Sequence, residues 1–174
     1  EVLGDQAKRA GYDADRLKKD SRVEAVLHTR STLDVERETM AEALFRAGRV
    51  SLAKGQVDKA VEQLKEAVWL RPAVARYHHY LGVAQTRNPK LRKEAEHHLL
   101  KSIELDGMQA APYLALGKLY ISVNLPRRAE TQLQEALRWD PENLEAQKLL
   151  QELASGASLR DERWPNSRAP KARQ

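Results

Sequence analysis

The chain has 174 residues, among them 30 Lys and Arg, 25 Asp and Glu and no Cys, and its formal net charge is +5. The lack of cysteine excludes disulfides, a thiolate nucleophile and a cysteine-ligated metal, and it favours a reducing, cytoplasmic location. Charged residues make up 32% of the chain, and no apolar run approaches the ~20 residues that a membrane-spanning helix needs. The cations form no block of like charge, so we do not expect a nucleic-acid partner. The abundance of strong helix formers predicts an all-α fold.

Residues 1–20 contain a short, dense motif. It comprises Val2, Leu3, Asp5 as an expected helix N-cap, Lys8, Arg9, Tyr12 and Asp13. This spacing resembles the closing segment of a J-domain, the chaperone module of DnaJ-type proteins. A J-domain stimulates its ATPase partner through a His-Pro-Asp tripeptide that precedes this segment, and the chain contains none. The resemblance implies a C-terminal remnant of a J-domain and a chain that is the back end of a longer protein; the alternative is an arbitrary amphipathic helix.

Residues 21–40 are predicted to be a helical linker. Residues 21–24 and 31–34 have the spacing of capping boxes, in which a Ser side chain bonds the first turn and an acidic side chain bonds back. They predict a short helix near 22–29 and a second helix from about residue 32. We expect the second to continue into the next segment as a long entry helix, because Leu33, Met40 and Leu44 have compatible helical spacing.

Residues 41–143 contain one pattern three times, in 41–74, 75–109 and 110–143. In each copy a glycine is followed by an alanine, and a leucine comes four residues after that alanine. A small residue and then a Pro or Gly complete the pattern. These markers are Gly48, Gly82 and Gly117; Ala60, Ala95 and Ala129; Leu64, Leu99 and Leu133; Ala67, Ser102 and Ala136; Pro72, Gly107 and Pro141. A fixed internal period indicates stacked structural repeats.

Each marker has a physical role in a helix–turn–helix unit. Glycine inside a helix costs about 1 kcal/mol relative to alanine, so the three mid-helix glycines predict a close approach of the second helix. Pro72 and Pro141 are predicted to end the second helix. Gly107 is predicted to end it in the middle copy through a left-handed cap.

The pattern resembles the tetratricopeptide repeat (TPR), whose signature is Trp-x2-Leu-Gly-x2-Tyr, then Ala-x3-Phe, then Pro. The third copy fits best, with Tyr113, Leu116, Gly117, Tyr120, Ala129, Leu133 and Pro141. The second departs most, with His78, Gln85 and Gly107 in place of an aromatic residue, Tyr and Pro. The resemblance implies a right-handed α-solenoid of three TPR helix–turn–helix repeats.

Residues 144–153 are predicted to form a capping helix. Leu144, Leu149, Leu150 and Leu153 have helical spacing, and a repeat array needs a cap over its last apolar face. Residues 154–174 have no period and two prolines, so we expect a flexible tail. Its Trp164 is a candidate docking anchor.

The TPR resemblance also implies a concave groove lined by the first helix of each repeat. By register the predicted partner-binding residues are Phe45, Arg49, Leu52, Arg76, His79, Val83, Leu114, Lys118 and Ile121. Some TPR domains clamp a C-terminal carboxylate with Lys, Asn and Arg side chains, and here those places hold Phe45, Arg49, Tyr80, Ala111 and Ala115. We therefore expect a protein or peptide partner with apolar anchors and some acidic residues. Alternatively, the entry helix or the tail covers part of this surface.

No motif in the chain predicts an enzyme or a cofactor. Phosphate loops, dinucleotide fingerprints, nucleophile elbows and zinc-protease motifs are all missing from the sequence. The pairs His78-His79 and His97-His98 fall on the two helices of the second repeat, so one histidine from each could meet. Adjacent residues on a helix point about 100° apart, so each pair offers one ligand, and we predict no metal site.

The predicted function is therefore a protein–protein interaction module of a DnaJ-like co-chaperone, with a DnaK-type chaperone engaged through the missing J-domain. The alternative is a TPR scaffold for bacterial secretion, pilus or motility assembly, with no chaperone role. The sequence immediately before Glu1 discriminates between the two.

Overall fold

The computed structural model describes residues 2–155, all of them in helices and turns; it describes the side chains of residues 16, 18–20 and 32–155. The helices are α1 (Val2–Ala53), α2 (Val57–Leu70), α3 (Ala75–Thr86), α4 (Arg92–Leu105), α5 (Ala110–Ser122), α6 (Pro126–Trp139) and α7 (Leu144–Ala154), with a 3-10 turn at Pro89–Leu91 before α4. Most of the predicted tail, including Trp164, lies outside the described residues. So do the side chains that carry the J-domain resemblance, which stays a prediction.

Helix α1 is continuous over 52 residues. The helix starts predicted at Asp5, near residue 22 and near residue 32 are therefore wrong, whereas the entry helix does continue into the first repeat. The segment contains no proline, and serine or aspartate inside a helix costs only a fraction of a kcal/mol. A capping box without a helix-breaking residue beside it thus does not start a new helix. None of the helices described here is both long and apolar enough to cross a membrane.

The chain divides into two units after Met40, and the second unit has the predicted right-handed solenoid fold. Residues 41–53 of α1 pack against α2, with Gly48 facing Leu64 and the Ser51 hydroxyl donating to Gln63. Helix α3 pairs with α4, and α5 pairs with α6. Helix α7 packs on α6 as the cap. Its leucines Leu149, Leu150 and Leu153 are partly buried against the last core cluster.

The three mid-helix glycines lie where the second helix of each repeat comes closest. A Cβ atom added to Gly48 would lie 2.6 Å from Cγ of Leu64, and one added to Gly82 would lie 2.7 Å from Cγ of Leu99. At Gly117 the distance to Leu133 would be 2.8 Å. These leucines are fully buried, so the predicted close approach is confirmed in all three repeats.

The turns inside the repeats use different residues for the same purpose. Gly55 and Asn124 have positive φ, 74° and 57°, a conformation that glycine and asparagine adopt more readily than other residues. In the second repeat the Asn88 side chain instead accepts a hydrogen bond from the backbone N–H of Lys90 and begins the 3-10 turn. That turn accommodates the extra residue of the second repeat.

The second helices end where we expected them to end. Helices α2, α4 and α6 each stop two residues before the marker, which is Pro72, Gly107 or Pro141. The left-handed cap predicted at Gly107 is wrong. Among the glycines that the structure describes, only Gly55 has a positive φ, so Gly107 does not adopt the left-handed conformation. A Cβ at Gly107 would instead lie 3.2 Å from the carbonyl oxygen of Ile103. Glycine is therefore favoured there by crowding and not by backbone handedness.

A hydrogen bond of the same kind closes each junction between repeats. The ring of His78 bonds the carbonyl oxygen of Pro72 at 3.0 Å. Tyr113 donates its hydroxyl to the carbonyl of Gly107 at 3.2 Å. At the cap, Gln147 donates its amide to the carbonyl of Pro141 at 2.7 Å. In each case the donor comes six residues after the acceptor, so the junctions share one geometry built from three residue types.

Candidate partner-binding groove

The predicted groove residues fall on residues 41–53 of α1 and on α3 and α5, the first helices of the three repeats. Arg49 and Arg76 are exposed, and His79, Val83, Leu114, Lys118 and Ile121 are partly buried. Phe45 and Leu52 are buried, with 3% and 8% of their surface exposed, and belong to the core cluster of the first two repeats. They therefore support the groove more than they contribute surface to it.

An arginine–aromatic cluster joins the first two repeats and consists of Phe45, Tyr77, Tyr80, Arg49 and Arg76. The ring centroid of Phe45 lies 4.8 Å from that of Tyr77 and 5.3 Å from that of Tyr80. The guanidinium of Arg49 lies 5.0 Å from the Tyr80 centroid and 5.6 Å from the Phe45 centroid. Arg76 lies 5.4 Å from the rings of Phe45 and Tyr77. Cation–π attraction holds both arginines in defined positions.

Glu42 occupies the centre of the polar contacts beside this cluster. Its carboxylate accepts hydrogen bonds from Arg76 at 2.7 Å and from the Tyr77 hydroxyl at 2.9 Å, and Arg46 lies 3.3 Å away. Burial tends to raise the pKa of Glu42, but the Tyr77 hydrogen bond and the Arg76 charge outweigh it and lower that pKa below its ordinary value. Arg76 is therefore already engaged by a carboxylate of the chain itself.

Lys118 is engaged in the same way at the other end of the array. Its Nζ atom lies 2.6 Å from Oε1 of Glu145 in α7. Glu145 occupies in α7 the register position that Glu42, Arg76 and Ala111 occupy in the three repeats, so α7 acts as a fourth first helix. The groove-facing role of Glu145 and the ring contact of Tyr77 were not predicted. Extending the 34-residue register beyond residue 143 would have found Glu145.

The three predicted groove cations thus differ in their surroundings. Arg76 and Lys118 bond to Glu42 and Glu145, whereas Arg49 lies over aromatic rings. Arg49 is also exposed. Its guanidinium is accordingly held in place with N–H groups available for a carboxylate of a partner, because guanidinium and carboxylate can form paired hydrogen bonds.

Two histidines from the two helices of repeat two do meet, which the sequence left open as a possibility. Nδ1 of His78 lies 3.0 Å from Nδ1 of His98. Among the described side chains, those of residues 16, 18–20 and 32–155, no group of three His, Cys, Asp or Glu is arranged to hold a metal ion. The pair by itself therefore offers two of the four ligands that a structural zinc site uses.

His79 lies on α3 next to Tyr80, and its ring meets the Tyr80 ring edge-on at 5.1 Å. Its Nδ1 atom is buried without a hydrogen-bond partner in the structure. Burial lowers the pKa of His79 to about 4, so the ring is neutral at pH 7. His79 thus adds no charge to the groove at neutral pH.

The tetratricopeptide repeat family model matches residues 41–74 and 110–143, the same boundaries that the sequence predicted for the first and third repeats. The second repeat, which departs most from the signature, is not part of the match. No protein among those curated for function matches the chain significantly in sequence.

Solved structures, TPR domains among them, share the fold. The chain is similar to the Arabidopsis OM64 TPR domain, with a TM-score of 0.65 and 24% identity over 68% of this chain and 98% of that one. It is similar to the first TPR of Spaghetti (RPAP3) bound to the HSP90 peptide SRMEEVD, with a TM-score of 0.65 and 18% identity over 70% and 95%. It is also similar to MamA, with a TM-score of 0.63 and 26% identity over 70% and 66%.

Proposed function

We propose that residues 41–155 are a protein–protein interaction module that binds a segment of a partner protein along the first helices of its repeats. The observation that carries this proposal is the position of Arg49, exposed and held over the rings of Phe45 and Tyr80. The partly buried apolar side chains of Val83, Leu114 and Ile121 lie on the following first helices. The partner segment would place an acidic side chain at Arg49 and apolar side chains beyond it.

The segment is proposed to be internal to the partner chain and not a chain terminus. The structure of Spaghetti holds the HSP90 peptide SRMEEVD, but the five places of the carboxylate clamp hold Phe45, Arg49, Tyr80, Ala111 and Ala115 here. Only Arg49 among them is cationic. We therefore expect SRMEEVD to bind weakly, and amidation of its C-terminus to change its affinity little.

Random twelve-residue peptides, displayed within a loop so that they have no free carboxylate, would test the proposal on the full chain. The selected peptides should be enriched in Asp or Glu beside apolar residues. Fluorescence anisotropy then compares Arg49→Glu with Lys59→Glu, which makes the same charge change on an exposed residue of α2. Loss of a charge-assisted hydrogen bond should weaken binding about tenfold or more in the first variant and change it little in the second. Equal effects of the two variants would reject the groove.

We further propose that the module belongs to a DnaJ-like co-chaperone, in which a preceding J-domain engages a DnaK-type chaperone in the cytoplasm while the groove holds a client or partner. The support is the J-domain resemblance of residues 1–20. The native reading frame upstream of residue 1 tests this hypothesis. A His-Pro-Asp tripeptide between two apolar helices would support it, whereas an unrelated upstream segment would leave an interaction scaffold as the function.

A further inference from the structure

The rings of His78 and His98 connect three elements of the second repeat. Their Nδ1 atoms lie 3.0 Å apart between α3 and α4. Nε2 of His78 lies 3.0 Å from the carbonyl oxygen of Pro72 in the loop between α2 and α3. Two hydrogen bonds in series thus link α4 to α3 and α3 to the preceding loop.

The positions of the protons in this chain of bonds follow from its acceptor. A carbonyl oxygen only accepts, so Nε2 of His78 must carry a hydrogen. A neutral His78 then has a bare Nδ1, and His98 must donate to it from its own Nδ1. One added proton can reside on Nε2 of His98 without breaking a bond. A second would place hydrogens on both facing Nδ1 atoms and break the contact.

The surroundings of the pair oppose its protonation. His78 is 5% exposed, and burial lowers the pKa of both imidazoles, to about 4 for His98. The charged or titratable groups near enough to act on the pair come from α2 and α4, and they are Lys65, Glu94, His97, Lys101 and Glu104. Lys65, His97 and Lys101 add to the lowering, and the two glutamates partly offset it.

We propose that the His78–His98 pair is a proton-sensitive latch, which holds α3 against α4 and the preceding loop while the pair carries at most one added proton and breaks when both rings are protonated. Helix α3 also carries the groove positions Arg76, His79 and Val83. The latch would therefore couple pH to the groove. That last step rests on the proposed function, whereas the latch itself does not.

The sign of the effect follows from the proton balance. In the unfolded chain both histidines titrate near pH 6.5, whereas in the folded chain His98 titrates near 4. Between these values the unfolded chain binds more protons, so the free energy of unfolding decreases as the pH falls. The stabilisation that comes from keeping the pair neutral is complete above pH 6.5 and is lost progressively toward pH 4, where the second proton breaks the latch.

Thermal unfolding of the full chain at pH 7.5 and pH 5.0 tests the latch with a matched pair of variants. His98→Asn places an amide N–H where the Nδ1–H of His98 lies, so it can still donate to His78 but cannot titrate. Its Tm should therefore fall about 4 °C less on acidification than that of the wild type. His97→Asn removes the neighbouring imidazole, which contacts the His98 ring but makes none of the bonds of the latch. It should keep nearly the whole acid-induced fall. An equal fall in wild type and His98→Asn would overturn the proposal.

The tautomers give a second measurement, which needs no variant. Long-range ¹H–¹⁵N NMR spectra of the wild-type imidazoles at pH 7.5 should show His78 protonated on Nε2 and His98 protonated on Nδ1. On titration His98 should stay neutral well below pH 6.5. An Nε2–H tautomer of His98, or a titration midpoint near 6.5, would overturn the latch even if both variants fold poorly.

Discussion

Repeats two (75–109) and three (110–143) have the same backbone plan with different polar chemistry. Gly82 packs on Leu99 as Gly117 packs on Leu133. His78 and Tyr113 stand at equivalent positions, and each bonds the carbonyl of the equivalent loop residue, Pro72 or Gly107. The junction therefore requires a planar side chain with a donor at the right reach, and does not require a particular aromatic residue.

The two repeats differ more at the position near the end of the first helix. In repeat three the Tyr120 hydroxyl donates to Glu96 at 2.7 Å. In repeat two Gln85 is fully buried, and neither its amide nitrogen nor its amide oxygen has a hydrogen-bond partner in the structure. The apolar packing is thus shared by both repeats, whereas the satisfaction of buried polar groups is not.

The largest effect should come from removing the shared packing. Leu99→Ala deletes a fully buried side chain and should lower the free energy of unfolding by about 3 kcal/mol through lost burial and the cavity left behind. The neighbouring Leu100 is 47% exposed, so Leu100→Ala should cost less than about 1 kcal/mol. Urea denaturation of the two variants measures the difference. Similar losses would show that repeat two is not packed as described.

A smaller effect should separate the glycines of the two repeats. Gly82→Ala and Gly117→Ala both force a buried leucine to move, at about 1–3 kcal/mol for overpacking, offset by about 1 kcal/mol of helix propensity. The new Cβ at Gly82 would also lie 3.1 Å from the carbonyl oxygen of Ala95, whereas at Gly117 the corresponding distance to Ala129 is 3.6 Å. Backbone yields less than a side chain, so Gly82→Ala should be the more destabilising in denaturant titrations; the reverse order would contradict this account.

The parts of the structure that could be predicted are those that depend on residue size and register. Small and large markers at fixed spacing were sufficient to place the close approach of the second helix at Gly82 and the ends of the second helices. The continuity of α1 was missed, because capping-box spacing does not show whether a helix has already begun.

For the groove, the sequence predicted which positions face it but not how their side chains pair. The pairing of Arg76 with Glu42 depends on which rotamers meet between neighbouring repeats. The register allowed one histidine of each pair to meet, but it did not say which two, and the hydrogen bond between His78 and His98 depends on ring orientations that register does not specify.

The smallest effect should come from a core substitution that raises the free energy of unfolding, whereas most core substitutions lower it. Gln85→Met keeps the length of the side chain and removes an amide that is buried without hydrogen bonds, so it should raise the free energy of unfolding by about 1 kcal/mol. Tyr120→Phe removes a hydroxyl that is bonded to Glu96 and should lower it by about 1 kcal/mol. Urea unfolding of both variants on the same day gives the comparison. Destabilisation by Gln85→Met would mean that the Gln85 amide is hydrogen-bonded in solution, and the polar contrast between repeats two and three would then disappear.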